Sequence, residues 1–382
     1  MTVNDADVVV VGLGAMGSMA LWRLAQKGVD VIGIEQFDIA HSLGSSGGQT
    51  RLFRTACFEH PGLGAIARQA QELWRELEQE SGKEILTLTG GVMIGPASSE
   101  LIEGTRAAAQ TSGTTVTDLS HGDLAERFPA HINVDPSYVG LWDPEAGVVR
   151  PELGITAAIQ SAESFGARVL TQTRVAKIEE TGNGVEITTD EETLRARAVI
   201  VAAGPWLSHL TKTPPIEPMR VIMTWFNPWA QPFSTDAFPV FIRHIDEKRT
   251  FWGHGQIDGL PVKIGAPDDP SNLSATNPDT IDRTVHESDL RVVRDTVSRY
   301  VKGIDPNPAL SSVCMITLSP DWQFVLGPAE PGSPIILAGG CSGHAFKHAP
   351  AIGDYLAAAA IGQEPPFDGE FVNPLRLLSP AV

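Results

Sequence analysis

The most chemically informative residues of this sequence are three glycines near its N-terminus. Gly12, Gly14 and Gly17 are spaced as G-x-G-x-x-G, directly after an apolar run that predicts a strand and at the start of a stretch that predicts a helix. There the first glycine allows a tight turn, the second lets the backbone approach a pyrophosphate, and the third lets helix and strand pack closely. Free N–H groups at the helix N-terminus attract phosphates, so the turn predicts a dinucleotide site. A glycine turn formed by chance is the alternative.

An acidic residue at the end of the next predicted strand indicates which dinucleotide binds. Glu35 lies 18 residues after Gly17. A carboxylate there accepts hydrogen bonds from ribose hydroxyls and repels a 2′-phosphate, which favours FAD or NAD over NADP. This fingerprint does not separate FAD from NAD. An NAD-dependent dehydrogenase and a non-catalytic flavoprotein therefore stay open as alternatives.

Several cationic or nucleophilic side chains are ambiguous when taken by residue type alone. Lys263 lies in the short apolar segment VKI, where a lone lysine usually faces solvent. Arg51 and Arg54 are three apart after a Gly/Ser-rich loop, as on a solvated helix face. Cys314 lies in a strand-rich region, where a single cysteine is usually a small buried hydrophobe.

Apolar periodicity predicts the elements that must position these residues. A strand, the glycine turn, a helix to about Lys27 and a second strand open the chain. Residues 196–203 form a buried strand ended by Gly204, similar to a nucleotide-domain strand of flavoproteins or simply a buried strand before a turn. A third such strand spans 335–338, before the glycine-rich turn 339–343 and a helix. The region 214–318 is rich in strands, so we expect a nucleotide domain interrupted by a second, sheet-rich region.

Composition excludes several function classes. The 382 residues include 28 Lys and Arg against 46 Asp and Glu, for a formal net charge of −18. So acidic a surface repels nucleic acid and anionic membranes. Three cysteines are too few for a disulfide scaffold, and their spacing gives no metal site. The acidic N-terminus is unlike a secretory signal, and glycines break the apolar stretch 8–22. We expect a cytoplasmic protein.

The sequence resembles the monomeric sarcosine oxidase family of flavin amine oxidases, which includes N-methyltryptophan oxidase and bacterial fructosyl-amino acid oxidases. The resemblance covers nearly the whole chain, and its cysteine and SGHAFK segments are the most diagnostic. It is carried by VVVVGLGAMG, GSSGGQTRLFR, QELWRELE, VLTQTRV, PVKIG, SSVCMIT and GGCSGHAFKHAP.

The resemblance implies roles for individual residues. Cys314 falls where the family attaches its flavin through a thioether, whereas Cys57 and Cys341 have no such counterpart. Lys263 matches a lysine that lies over the flavin ring and promotes oxygen reduction. Arg51 matches an arginine near the flavin, so we expect both cations to be catalytic. The resemblance also implies that FAD contacts Gly12, Gly14, Ala15, Met16, Gly17, Glu35, Ser45, Thr50, Arg51, Val175, Gly204, Cys314, Gly343 and Lys347.

Two further cations match the carboxylate-binding groups of the family. They are Arg54 and Lys347, and their convergence on a carboxylate would give charge-assisted hydrogen bonds. His344 and His348 flank Lys347, and we interpret them as hydrogen-bonded structural histidines rather than acid–base catalysts.

Three positions depart from the family pattern of sarcosine oxidases. Ile316 replaces a tyrosine, and Gly47 and Pro267 each replace a histidine. A smaller lining leaves room for a larger substituent, so we expect sarcosine to be held poorly. The expected substrates are fructosyl-amino acids or long N-alkyl amino acids, with sarcosine or other N-methyl amino acids as the alternative.

The resulting expectation is a mixed α/β, or α+β, oxidase with two discontinuous domains. An interrupted Rossmann-like FAD domain comprises 1–84, 146–216 and 318–382, and an antiparallel-sheet-rich substrate domain comprises 85–145 and 217–317. FAD is expected to be covalent through Cys314, with an N-substituted amino acid and molecular oxygen as the other reactants. We expect a monomer without a metal ion.

Overall fold

The parallel strands at the start of the chain form the centre of the first of two large sheets. The computed structural model describes residues 4–212, 214–230, 233–266 and 273–377. In this sheet the first strand lies between two parallel neighbours, with Val10 opposite Gly33 on one side and Ile200 on the other. The eight strands are β1 (Ala6–Val11), β2 (Val31–Ile34), β9 (Arg168–Leu170), β10 (Val175–Thr181), β11 (Gly184–Thr189), β12 (Thr193–Val201), β19 (Val325–Pro328) and β20 (Ile335–Gly339).

The strands of this sheet are of two kinds, which differ in how much of each strand is buried. The central strands are near-continuous runs of Val and Ile because helices cover one face and a second apolar cluster covers the other. The β10–β11 hairpin, which turns at Gly182 and Asn183, is instead mostly exposed along β10 and buried at every second residue of β11, and it pairs with the start of β12. β12 then continues beside β20 in parallel.

A second sheet of nine strands forms the other half of the molecule. Neighbouring strands are antiparallel except β14 and β5, which are parallel. Its strands are β5 (Gly91–Pro96), β6 (Thr117–Leu119), β7 (Tyr138–Asp143), β13 (Glu217–Phe226), β14 (Val240–His244), β15 (Thr250–His254), β16 (Val262–Gly265), β17 (Ser274–Ala275) and β18 (Leu310–Leu318). A small third sheet joins β3 (Arg51–Phe53), β4 (Leu86–Leu88) and β8 (Gly147–Val149).

Helices cover one face of each large sheet. The first helix packs between two others against the parallel strands, and the helix over 287–300 buries Val293 and Val297 among phenylalanines of the nine-stranded sheet. The helices are α1 (Ala15–Gln26), α2 (Leu63–Ser81), α3 (Glu100–Ser112), α4 (His121–Arg127), α5 (Pro151–Ser164), α6 (Leu207–Leu210), α7 (Glu287–Tyr300) and α8 (Ala349–Ala360), with short 3-10 turns at Gly204–Trp206, Phe346–His348, Glu370–Val372 and Pro374–Leu377. Among the described residues, no helix has the length and apolarity needed to cross a membrane.

The other face of the nine-stranded sheet carries the polar residues of interest. In the antiparallel register Lys263 lies opposite Trp225 on one side and His254 on the other, so all three share one face. Phe241, Phe251 and the neighbours of Lys263 point into the opposite, phenylalanine-rich core.

The mixed α/β fold expected from the sequence is confirmed. The division into two discontinuous domains stays a prediction. The eight-stranded sheet draws its strands from 6–34, 168–201 and 325–339. The nine-stranded sheet draws them from 91–143 and 217–318. The small sheet joins β4, on the substrate side of that division, to β3 and β8 on the other side.

Candidate active site

A cleft of about 1400 Å³ that opens to solvent runs along the carboxyl ends of β1, β2 and β12. Its floor is the glycine turn between β1 and α1. Gly12 has φ +87°, and a Cβ there would lie 2.6 Å from the carbonyl oxygen of Ala202. A Cβ on Gly17 would overlap the carbonyl oxygen of Gly12. Both glycines are therefore required for the turn itself, whatever the cleft binds.

The polar groups of this turn fit a pyrophosphate. Helix α1 begins after Gly14, which has no side chain to cap it, and has no acidic residue in its first turn, so its N-terminus is positive and faces the cleft. Ser46 Oγ accepts from the amide of Ala15 at 3.0 Å. The neighbouring Ser45 hydroxyl also lines the cleft, is buried and has no hydrogen-bond partner among the described residues. A ligand oxygen would satisfy it.

Glu35 is held as a carboxylate at the end of β2. Its Oε2 accepts from the amide of Leu13 at 2.9 Å, and its Oε1 accepts from that of Phe37 at 3.1 Å and lies 3.4 Å from His41 Nε2. Burial alone would raise the pKa of Glu35, but the His41 and backbone hydrogen bonds leave it lowered. An ionised carboxylate facing the cleft is the acceptor that ribose hydroxyls require.

Most of the residues predicted to bind the cofactor lie together in this cleft. Gly17, Thr50, Cys314 and Lys347 do not line it, and the others do: Gly12, Gly14, Ala15, Met16, Glu35, Ser45, Arg51, Val175, Gly204 and Gly343. Sequence reasoning missed several other lining residues. His41, Thr173, Arg174, Ala203 and Trp206 are among them. Trp206 directly follows the predicted Gly204-Pro205 turn, so its position was the one signal that could have found it.

Lys263 is buried rather than solvent-facing, so the ordinary interpretation of its strand pattern is wrong. Its side chain is 1% exposed. Nζ donates to the carbonyl oxygens of Gly48 at 2.7 Å and Thr50 at 2.8 Å, and lies 5.0 Å from the ring centre of Trp225. Burial and the charge of Arg51 lower the pKa of Lys263 well below its usual range. An ammonium has three N–H groups, so one is left for a ligand.

Arg51 and Lys263 both donate to the carbonyl oxygen of Thr50. It lies on β3, not on a helix face, and Nη1 donates to the Thr50 carbonyl at 2.9 Å. Its Nη2 donates to the carbonyls of Ser45 and Gly47. Glu152 fixes the segment before Arg51, because its carboxylate accepts from the amides of Gly48 at 2.7 Å and Gln49 at 3.0 Å.

Cys314 lies directly behind the cleft wall on β18. Its thiol is buried and faces the carbonyl of Gly44 at 3.8 Å, in the loop whose next residue is the unpartnered Ser45. Ile316 and Thr317 of the same strand line the cleft. Burial raises the pKa of the Cys314 thiol, and the charge of Arg51 opposes that rise. The thiol is therefore adjacent to the cleft and not remote from it.

Arg54 and Lys347 converge on a carboxylate supplied by the chain itself. Arg54 Nη2 donates to Glu59 Oε1 at 2.5 Å, and Lys347 Nζ lies 3.3 Å from the same oxygen. All three side chains are largely buried, which contradicts the interpretation of Arg54 as part of a solvated face. Burial alone would raise the pKa of Glu59, but the charges of Arg54 and Lys347 hold it well below its usual range. Sequence reasoning missed Glu59, although it lies only five residues after Arg54.

Of the histidines beside Lys347, His348 is buried and His344 is half-buried, and both are held neutral. His344 Nε2 lies 2.9 Å from the carbonyl of Trp322, and burial with the charge of Lys347 lowers the pKa of His344 to about 4. His348 lies 3.9 Å from the thiol of Cys57, and burial lowers its pKa well below the usual range. Burial raises the pKa of Cys57 to about 12, so this thiol stays protonated.

Comparison with known proteins agrees with this geometry. The FAD dependent oxidoreductase family matches residues 7–359. The chain is 32% identical over 380 residues to monomeric sarcosine oxidase of Streptomyces avermitilis, covering 98% of this chain and 97% of that protein. It is 27% identical over 366 residues to N-methyl-L-tryptophan oxidase of Yersinia pestis, covering 95% and 97%. The structure of NikD, an unusual amino acid oxidase essential for nikkomycin biosynthesis, has a TM-score of 0.83 at 23% identity, over 97% of each chain.

The chain belongs to the FAD dependent oxidoreductase family. Within it, the long match to monomeric sarcosine oxidase confirms the family resemblance found in the sequence. It also confirms the expectation of a flavin-dependent amine oxidase. FAD is thus the dinucleotide for which the glycine turn, Glu35 and Ser45 provide a fitting site.

The three departures from the sarcosine oxidase pattern do not contribute equally to this oxidase's cleft. Ile316 lines it. Gly47 does not, and a Cβ on Gly47 would meet Ser42 at 3.1 Å, so its small size does not widen the lined space. Pro267 lies outside the described residues. The structural argument for a larger substituent is therefore reduced to Ile316.

Two histidines with lowered pKa values predict how the stability of this oxidase depends on pH. His254, described below, and His344 have pKa values of about 4, under the ordinary value of 6.5. As pH falls, these histidines bind protons in the unfolded chain before they do in the folded chain. Their contribution to the free energy of unfolding is therefore complete above pH 6.5 and is lost as pH falls from 6.5 towards 4. Each histidine contributes a slope of about 1.4 kcal/mol per pH unit. Calorimetric Tm measured from pH 7.5 to 4.5 should decline accordingly.

One variant checks the assignment. His344→Asn should make the decline of Tm with falling pH shallower than in the wild-type protein. Equal slopes in the two proteins would show that His344 is not the group responsible.

Proposed function

We propose that the protein oxidises the secondary amine of an N-substituted α-amino acid and passes the electrons to oxygen. One observation carries the proposal: Arg54 and Lys347 converge on a single carboxylate oxygen of Glu59, in the chain segment that follows the cleft residue Arg51. A buried guanidinium and ammonium arranged in this way hold a carboxylate through charge-assisted hydrogen bonds. We infer that the carboxylate of the substrate takes the place of Glu59.

The chain's own residues would bind, orient and stabilise charge. Arg54 and Lys347 hold the carboxylate, which fixes the neighbouring C–N bond relative to the cleft. Bound FAD supplies the two-electron acceptor for the amine and the donor for oxygen. Loss of two electrons and the hydrogens from nitrogen and its adjacent carbon gives an imine, which water hydrolyses to an amine and a carbonyl compound. Oxygen leaves as hydrogen peroxide.

Lys263 and Arg51 are proposed to act in the oxygen half of the reaction. Two cations bound to one carbonyl create a positive field beside the cleft, and that field would stabilise negative charge developing on oxygen. The lowered pKa of Lys263 also makes its proton easier to transfer.

Two classes of N-substituent, small and large, are candidates for the substrate. The named relatives act on N-methyl compounds, sarcosine and N-methyl-L-tryptophan, which supports an N-methyl amino acid. Ile316 on the cleft wall, where the family resemblance expects tyrosine, supports the second candidate, a fructosyl- or long N-alkyl amino acid.

Peroxide release measures the function directly. Purified holoenzyme should produce hydrogen peroxide with at least one member of a panel of sarcosine, N-methyl, N-alkyl and fructosyl amino acids. The carboxamide of the best substrate is the control, and it should react at least tenfold more slowly because Arg54 and Lys347 lose their anion. Equal rates for acid and amide would contradict the carboxylate site, and reduction of an artificial electron acceptor without peroxide would indicate a dehydrogenase.

Removing the charge of Lys263 separates the two half-reactions. Lys263→Met should slow reoxidation of the reduced enzyme by oxygen by at least about a hundredfold, the scale of removing one charge-stabilising group. Stopped-flow absorbance should show a much smaller change in the rate of enzyme reduction by substrate. If both rates fall by the same factor, Lys263 has no specific part in oxygen reduction.

We propose further that FAD is attached through Cys314. Support comes from the match to the SSVCMIT segment and from the position of the thiol behind the cleft wall. Acid-precipitated wild-type protein should stay yellow, and protein carrying Cys314→Ala should release its flavin into the supernatant. Cys341→Ala, in which a cysteine on the cleft wall is removed, is the matched control and should stay yellow.

The same family relationship supports a monomeric, cytoplasmic enzyme. The relatives include monomeric sarcosine oxidases, and the three cysteines are unpaired. Unpaired cysteines are typical of a reducing compartment.

A further inference from the structure

His254 is a buried histidine next to Lys263 that the proposed reaction does not use. It lies opposite Lys263 in the β15–β16 pair and is 1% exposed. Its Nδ1 is 2.7 Å from the carbonyl of Gly255, which only accepts hydrogen bonds, so Nδ1 carries the hydrogen. Its Nε2 is 2.9 Å from the Thr50 hydroxyl. Burial and the charge of Lys263 lower the pKa of His254 to about 4, so Nε2 accepts the hydroxyl hydrogen.

Thr50 connects this histidine to both cations of the cleft. Its carbonyl oxygen accepts from Lys263 Nζ at 2.8 Å and from Arg51 Nη1 at 2.9 Å. Its side chain is fully buried and points at His254 rather than lining the cleft. The orientation of the Thr50 peptide therefore determines where both positive groups lie.

The chain around Thr50 does not hold this conformation by local preference. Gln49 has φ +67°, in the left-handed region that a residue with a side chain rarely adopts. Such a conformation persists only where surrounding groups enforce it. Glu152 fixes the segment through the amides of Gly48 and Gln49, and His254 fixes it at the other end through the Thr50 hydroxyl.

We propose that His254 is a positioning residue for Lys263, acting through the hydroxyl and carbonyl of Thr50. The imidazole holds the Thr50 side chain, the Thr50 and Gly48 carbonyls take two N–H groups of Lys263, and the third N–H is directed away from them. The inference rests on the proposed role of Lys263 in oxygen reduction. A protonated His254 could not accept from Thr50 and would place a third positive charge beside Lys263 and Arg51.

Paired variants on the holoenzyme test this chain of contacts. Thr50→Val removes only the hydroxyl, and His254→Leu removes its acceptor. Each should slow reoxidation by oxygen about tenfold, the scale of one lost hydrogen bond, and change reduction by substrate less than about threefold. The double variant should be no slower than the slower single variant, because both break the same contact. His254→Gln, which restores an acceptor, should recover most of the rate.

Thr224→Val is the matched control for loss of a buried hydroxyl. Thr224 is buried on the neighbouring strand and donates to the carbonyl of Ile264 at 2.6 Å, next to Lys263 but without contact to Thr50. It should lower the Tm about as much as Thr50→Val without changing the ratio of the two half-reaction rates. If Thr50→Val and Thr224→Val change the ratio of the two half-reaction rates equally, His254 and Thr50 have a structural role only and the proposal is wrong.

A nitrogen-15 NMR measurement tests the contact without using activity. The His254 signals of labelled holoenzyme should show hydrogen on Nδ1 and an accepting Nε2, and Thr50→Val should shift the Nε2 signal. The opposite tautomer would overturn the proposal.

The Lys263→Met result separates this inference from the proposed function. If Lys263→Met is selective for reoxidation but the His254 and Thr50 variants are not, the positioning role is wrong and the proposed function stands. If Lys263→Met is not selective, both the oxygen role of Lys263 and the role of His254 are wrong.

Discussion

A buried positive charge must be bound by acceptors, and the active-site region is organised by this requirement. The chain has a net charge of −18, yet it buries Lys263, Arg54 and Lys347 within a few per cent of full burial. An unpaired cation in such a place is strongly unfavourable. Two backbone carbonyls accept from Lys263, and one carboxylate oxygen of Glu59 pairs with both Arg54 and Lys347. Both solutions use the single chain segment from Gly48 to Glu59.

This segment links the two large sheets. It lines the cleft at Arg51, is held by Glu152 of α5, contacts Lys263 and His254 of the nine-stranded sheet, and forms β3 of the small sheet. The groups proposed to stabilise charge on oxygen and those proposed to bind a carboxylate therefore use neighbouring residues of one chain segment. The two differ in the nature of their acceptors. Carbonyls cannot be displaced by substrate, whereas a carboxylate can be exchanged for another carboxylate.

The cofactor cleft could be predicted from sequence because its requirements are local. Gly12, Gly14 and Gly17 act within one turn, and Glu35 ends the next strand, so their spacing already implies their arrangement. The first helix was also predictable in kind and place. The helix expected from the glycine turn to about Lys27 spans Ala15–Gln26, and its end differs slightly because contacts that periodicity does not report set where a helix stops.

The sequence by itself determined that the chain folds as a mixed α/β protein around a dinucleotide turn, and its motifs identified the family. The tertiary structure alone decided which charges are buried and what binds them. Residue type and local pattern made Lys263 a surface lysine and Arg54 a surface arginine, and they gave no role to Glu59 or His254. Lys263, Glu59 and His254 each depend on a partner far along the chain, as His254 depends on Thr50, 204 positions away, and the burial of Arg54 beside Glu59 depends on the packed molecule. A local pattern carries the energy of neighbours along the chain, whereas burial and electrostatic pairing are properties of the packed molecule.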